Sequence, residues 1–183
     1  MRPERTLRII AGRWRGRRFR FPPVDIRPTP DRVRETLFNW LRDRVEGAHC
    51  LDLFAGSGAL GLEALSRGAA GVVFVEQQRA AVSALSTLLA EWQATGATVL
   101  CSDAERYLSG APPRAFDLVF LDPPYGSAAL AECAGLLEQG WLASDARIYV
   151  EHPRRAALPA LPAGWHELRS GKAGEVGYHL FNL

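Results

Sequence analysis

From Cys50 to Glu151 the chain repeats one pattern: a short apolar run, a polar or glycine turn, then a stretch with helical periodicity. Cys50–Phe54 reads as a strand, Ala55-Gly56-Ser57-Gly58 as its turn, and the following residues to about Arg67 as a helix. Gly71–Glu76 is a buried strand rich in Val, and Arg79–Gln93 is its helix. Ala97–Cys101, Ala104–Leu108, Asp117–Asp122, Ser127–Gln139 and Arg147–Glu151 continue the alternation. Near-continuous apolar strands separated by helices must be covered on both faces, which predicts a mostly parallel α/β sheet. Trp165–Arg169 and Tyr178–Leu183, joined around Gly171 and Gly174, predict a terminal hairpin.

Ahead of this body the pattern changes. Leu7, Ile9 and Ala11 alternate as in a strand, and Phe21-Pro22-Pro23 breaks it, so a small hairpin is expected. Thr29 is a candidate N-cap, Pro30 suits the first helical position, and Val33, Leu37, Leu41 and Val45 form one apolar face that ends at Gly47. Two regions are expected: a basic extension over residues 1–25 and the α/β domain over residues 26–183.

Charge separates the same two regions. Residues 1–46 hold 13 Arg against 6 acids, whereas the remainder is net acidic, and the chain as a whole carries only +2. The cluster Arg13, Trp14, Arg15, Arg17, Arg18 and Arg20 points to a polyanion, with Trp14 stacking or anchoring the hairpin. The overall excess of Arg over Lys also fits a GC-rich genome, so the clustering carries more weight than the count. Three separated Cys without a CxxC predict reduced thiols and no zinc site. No apolar run approaches membrane-spanning length, and the N-terminus lacks a signal-peptide core, so a cytoplasmic protein without a membrane partner is expected.

Asp52-Leu53-Phe54-Ala55-Gly56-Ser57-Gly58-Ala59-Leu60-Gly61 places a GxGxxG motif between a strand and its helix. Such glycines let a nucleotide cofactor approach the backbone at the carboxyl ends of the strands. Glu76, 24 residues beyond Asp52, ends the next strand, where a carboxylate accepts from ribose hydroxyls. Those features fit NAD and S-adenosylmethionine alike. An acid beside the glycines suits a cation better than a pyrophosphate, and Asp103, after the third strand, suits the adenine amine or caps the helix from Ala104.

Asp122-Pro123-Pro124-Tyr125 favours the methyl donor. Two prolines remove backbone donors, leaving the Asp122 carboxylate and the Pro123 carbonyl as acceptors for an exocyclic amine, while Tyr125 can stack on a base.

The segments DLFAGSGALG, FVE, SDA and LDPPYG, in that order, resemble the class I methyltransferases that modify exocyclic amines of bases. IIAGRWRGRRF and RPTPDRVRETLFNWL narrow the resemblance to the bacterial 16S rRNA guanine-N2 methyltransferase family (RsmD-like), from about Leu7 to the C-terminus. That resemblance implies a Rossmann-like fold with a seven-stranded sheet, a C-terminal antiparallel hairpin and a small N-terminal β extension. It implies S-adenosylmethionine as cofactor, with Asp52, Gly56, Ser57 and Gly58 around the methionine part. Glu76 would hold the ribose, and Asp103 with Ala104 the adenine. Thr29, Phe54, Gln77 and Asp122 complete the expected cofactor contacts. Asp122, Pro123 and Tyr125 would act on a guanine of 16S rRNA in a partly assembled small subunit, with the basic arm on RNA, no metal, and a monomeric enzyme. Pro30 and Gln78 depart from the family pattern, where a polar residue and an acid are usual. The acceptor of the departing amine proton, Asp122 or water, stays open. Alternatives are an N6-adenine methyltransferase on RNA or DNA, a NAD oxidoreductase, and a non-enzymatic RNA-binding assembly factor.

Overall fold

The computed structural model of the chain describes residues 5–22 and 29–183. The expected boundary between residues 25 and 26 lies outside them. Strands β1 (Arg5–Arg8) and β2 (Arg18–Phe21) form an antiparallel hairpin. Helix α1 (Asp31–Trp40) follows. The body then runs β3 (His49–Asp52), α2 (Ala59–Ser66), β4 (Gly71–Glu76), α3 (Arg79–Glu91), β5 (Ala97–Cys101), α4 (Ala104–Leu108), β6 (Phe116–Leu121), α5 (Ala129–Leu137), β7 (Leu142–Pro153), β8 (His166–Ala173) and β9 (Val176–Asn182).

Seven strands form one sheet in the order β5-β4-β3-β6-β7-β9-β8. β3 to β7 pair in parallel, and β9 enters antiparallel between β7 and β8. The order reverses between β3 and β6, because β3 to β5 build outward in one direction and β6 onward in the other. Ligands of such sheets bind at that switch point, beyond the carboxyl ends of the strands.

Alternation along the strands divides the core in two. Cys50, Val72, Phe74, Leu118, Phe120 and Tyr149 pack with α1, α2 and α3 on one face. Leu51, Leu53, Val75, Val119, Leu121 and Val150 pack with α4 and α5 on the other. Near-complete burial of both faces explains why these strands read as unbroken apolar runs.

The hairpin is stitched to the body through buried charges. Glu63 on α2 is fully buried and accepts from the backbone N–H groups of Ile10 (2.8 Å) and Ala11 (3.0 Å) and from Arg67 (2.7 Å). Arg34 on α1, also fully buried, donates to the Arg8 carbonyl (3.0 Å) and to Asp31 (2.5 Å), and its Nη1 lies 3.6 Å from Glu63. Removing either partner would leave a buried charge uncompensated, at a cost of several kcal/mol. Ile9, Trp14 and Phe19 join the first core, so the hairpin shares that core with α2 and α3.

Helix α1 differs from expectation at both ends. Pro30, not Thr29, occupies the N-cap, and its carbonyl accepts from Val33 and Arg34 (both 3.0 Å). The Thr29 hydroxyl is drawn away from the helix to Glu151 at 2.8 Å. The helix ends at Trp40, and turns carry the chain on to Gly47.

Candidate active site

The strand register builds the site. Asp52 pairs with Phe74 on one side and Phe120 on the other, and Phe120 pairs with Tyr149. Two residues further along each of β4, β6 and β7 stand Glu76, Asp122 and Glu151. Because strand side chains alternate, these three acids project to the same face as the row below them. Asp52 belongs to that lower row, and with the three above it gives four carboxylates at the switch point.

The upper three border a cleft of about 690 Å³ lined by Pro30, Leu53, Phe54, Gly56, Glu76, Gln77, Asp103, Ala104, Asp122, Pro123, Tyr125 and Glu151, among others. Among the described residues, no Lys or Arg contributes to the lining. Such a wall favours a cationic ligand and disfavours a pyrophosphate. No group of three or more His, Cys, Asp or Glu among the described residues is arranged to hold a metal ion.

The glycine turn is shaped by close approach. Gly58, at φ 76°, caps α2, and a Cβ there would fall 2.6 Å from Leu85. Gly61 lets α2 press on β4, since a Cβ would fall 2.2 Å from the Phe74 ring. The Gly56 N–H donates to Glu76 Oε2 (2.8 Å), and the Gln78 N–H donates to Glu76 Oε1 (2.7 Å). Each carboxylate oxygen has two acceptor positions, so Glu76 anchors both loops and keeps acceptor capacity for a vicinal diol.

Asp52 sits deeper than expected. It is 3% exposed, lies behind the cleft wall, and accepts from the Gly61 N–H at 3.1 Å. Burial pushes its carboxyl up to about 7; the Gly61 hydrogen bond pulls against this, while Glu76 and Glu151 add to it. Its contribution is to brace the turn and to add negative potential beneath it. Ser57 and Gly58 are buried in the same turn.

Asp103 lines the cleft and also caps α4, accepting from the Arg106 N–H at 3.1 Å. Thr29, 5% exposed, lies 3.5 Å from Asp122 Oδ2 as well as 2.8 Å from Glu151. Tyr125 stands at the mouth, 41% exposed, one of two large hydrophobic side chains exposed to that extent among the described residues.

Glu151 is visible in the sequence only as the end of a strand. Register and burial bring it into the site, where Tyr149 also donates to it (2.8 Å). Leu53, Val75, Ser102 and Pro124, neighbours of the expected residues within the same motifs, join the lining, and so does Val176 from β9.

The basic arm is placed elsewhere. Arg13, Arg15, Arg17, Arg18 and Arg20 are exposed. Trp14 is buried against Trp92, with ring centroids 5.0 Å apart, and the backbone N–H of Trp14 donates to Ser66. Ser66 ends α2 and Trp92 follows α3, both at the end of the sheet away from the cleft. Trp14 therefore anchors the arm rather than presenting a stacking surface. The 13 residues of α3 span about 20 Å, which sets the scale between the hairpin tip and the cleft edge.

A family model described as Conserved hypothetical protein 95 matches residues 7–182. The chain belongs to this family. Ribosomal RNA small subunit methyltransferase D of Escherichia coli K12 is 49% identical over 179 residues, covering 96% of this chain and 89% of that protein. The protein of the same name from Haemophilus influenzae is 40% identical, covering 96% of this chain and 93% of its own length. The solved structure of yhhF from Escherichia coli matches with a TM-score of 0.89 at 48% identity, covering 97% of each chain. Family and fold imply S-adenosylmethionine as the cofactor, and a cleft bordered by acids, with no Lys or Arg among its described lining residues, suits that cation.

Proposed function

We propose that the protein transfers a methyl group from S-adenosylmethionine to the exocyclic N2 amine of a guanine in 16S rRNA of the small ribosomal subunit. Its relatives carry the rRNA methyltransferase name across nearly the whole chain; the chain is an enzyme of that kind. The observation that carries the finer reading is Asp122-Pro123-Pro124-Tyr125 standing on the same cleft as Glu76 and Asp103.

When bound, the cofactor supplies an already activated methyl group, so the chain's task is mainly positioning. Glu76 accepts from the ribose hydroxyls, and Asp103 with Ala104 borders the adenine. Asp52 lies behind the turn that faces the methionine part and contributes its charge to the sulfonium and ammonium. Asp122 and the Pro123 carbonyl accept the two amine hydrogens, which holds the nitrogen lone pair toward the methyl group. Tyr125, at the mouth, stacks on the base. A guanine N2 lies on a paired edge within a helix, so the nucleotide enters unpaired or flipped.

The arm meets RNA phosphates some 20 Å from the reacting amine, about the length of a helix such as α3. This distance suits a substrate recognised through its surrounding structure, which we take to be 16S rRNA in a partly assembled subunit, acted on by a monomer in the cytoplasm.

The test is Asp122→Ala, which removes the acceptor oxygens. We expect methyl transfer to fall by about 100-fold or more, on the scale of losing one positioned electrostatic contact, while the cofactor Kd stays within a few-fold. Turnover near that of the wild type would refute the assignment.

A further inference from the structure

Glu151 has no part in the chemistry proposed so far, yet it is 2% exposed and borders the cleft next to Asp122. Two hydroxyls donate to a single oxygen of it: Thr29 Oγ1 and Tyr149 Oη, each 2.8 Å from Oε1. The same Thr29 oxygen lies 3.5 Å from Asp122 Oδ2. A hydroxyl has one hydrogen to donate, so Thr29 serves one of these carboxylates at a time. The shorter contact shows which one it serves.

Both hydroxyls are held in place. Thr29 is buried at the start of α1, next to Pro30 in the cleft wall. Tyr149 is fully buried in the first core, beside Phe120 and Tyr178. Burial and the neighbouring carboxylates keep the Tyr149 phenol protonated, so it remains a donor. The other titratable groups that act on this cluster are Asp52 from β3, Glu76 from β4 and Tyr178 from β9.

We infer that Glu151 is a positioning residue for methyl transfer: it takes the hydrogen of Thr29 and so keeps that donor off Asp122, whose oxygens accept from the substrate amine. This rests on Asp122 holding the amine. Without the Glu151 acceptor, Thr29 turns to Asp122 Oδ2; that carboxylate has acceptor positions to spare, but the new hydrogen bond turns it toward Thr29 and weakens it as an acceptor for the amine. The role belongs to the acceptor atom and not to the charge, because a neutral carbonyl in the same place also takes both hydroxyls.

Three variants and one double variant test this, with kcat measured on rRNA and the cofactor Kd measured by calorimetry as a check on the fold. Glu151→Leu lowers kcat by roughly ten- to a hundredfold, the scale of one hydrogen bond to a charged group, with the cofactor Kd nearly unchanged. Adding Thr29→Val to Glu151→Leu raises kcat again, because the competing donor is gone. Glu151→Gln keeps the acceptor and retains kcat within about threefold, well inside the loss of one such bond.

A double variant slower than Glu151→Leu alone overturns the inference, since a merely structural role predicts further loss. A fall of about tenfold or more in Glu151→Gln also overturns it, and this arm holds even where Glu151→Leu does not fold. Asp122→Ala separates the two levels. If it stays active, the assignment of Asp122 fails and takes this inference with it. If it is inactive and the double variant is still slower, the inference alone fails.

Discussion

Asp52 offers a prediction whose sign and size both follow from the structure. Its carboxyl is buried, and its pKa in the fold is about 7 against an ordinary 3.8. Between those values the folded chain holds one proton more than the unfolded chain, so stability falls as pH rises through the window. Each pH unit crossed inside that window costs about 1.4 kcal/mol. The full window therefore amounts to about 4 kcal/mol, and the part between pH 5 and 7 to about 2–3 kcal/mol, a sizeable share of the roughly 5–15 kcal/mol typical of a domain. Asp52→Asn removes the titration while its amide oxygen still accepts from Gly61. Urea unfolding at a series of pH values should show the wild-type protein losing stability from pH 5 to 7 relative to Asp52→Asn. Saturating S-adenosylmethionine should flatten the wild-type curve, because a sulfonium and an ammonium above the turn favour the carboxylate. Parallel pH profiles for the two proteins would refute the burial argument.

Other consequences follow from single contacts. Gly61→Ala places a methyl 2.2 Å from the Phe74 ring, and the overpacking should cost about 1–3 kcal/mol, read as a lowered Tm; an unchanged Tm would contradict that close approach. Arg13→Ala/Arg15→Ala/Arg17→Ala should reduce the salt slope of RNA binding by about 2, at about 0.7 per single-strand phosphate contact. It should leave cofactor affinity unchanged, because the tip is remote from the cleft; an unmoved slope would remove these residues from the RNA interface.

Much of the fold was legible because the central strands are buried on both faces. Gly71–Glu76 begins and ends where its apolar run does, and the half-exposed edge strand Ala97–Cys101 also keeps its expected bounds. β7 is longer than its sequence signal, Arg147–Glu151, because it begins at Leu142 across a bulge opposite Phe116, and exposed Ser144 and Asp145 interrupt the apolar run. The glycine turn, Glu76, Asp103 and the Asp-Pro-Pro-Tyr turn could be read because each sits at a strand end with a local pattern.

What could not be read depends on contacts between distant segments. Thr29 looked like a cap because local sequence favours one, yet its partner lies 122 residues away on β7. Glu151 has no motif, and only the register beside Asp122 gives it a place. Trp14 sits among arginines, but Trp92, just beyond the C-terminal end of α3, packs on it. Asp52 was expected against the cofactor, and its depth became apparent only once α2 was packed over β4.

The central claim is methylation of a guanine N2 in 16S rRNA. It is tested most directly by incubating the protein with methyl-tritiated S-adenosylmethionine and small ribosomal particles or naked 16S rRNA lacking the modification, then identifying the labelled nucleoside and its position. The expected product is N2-methylguanosine at a single site, with the particle the better substrate. Label in N6-methyladenosine, or no transfer to either RNA, would contradict it.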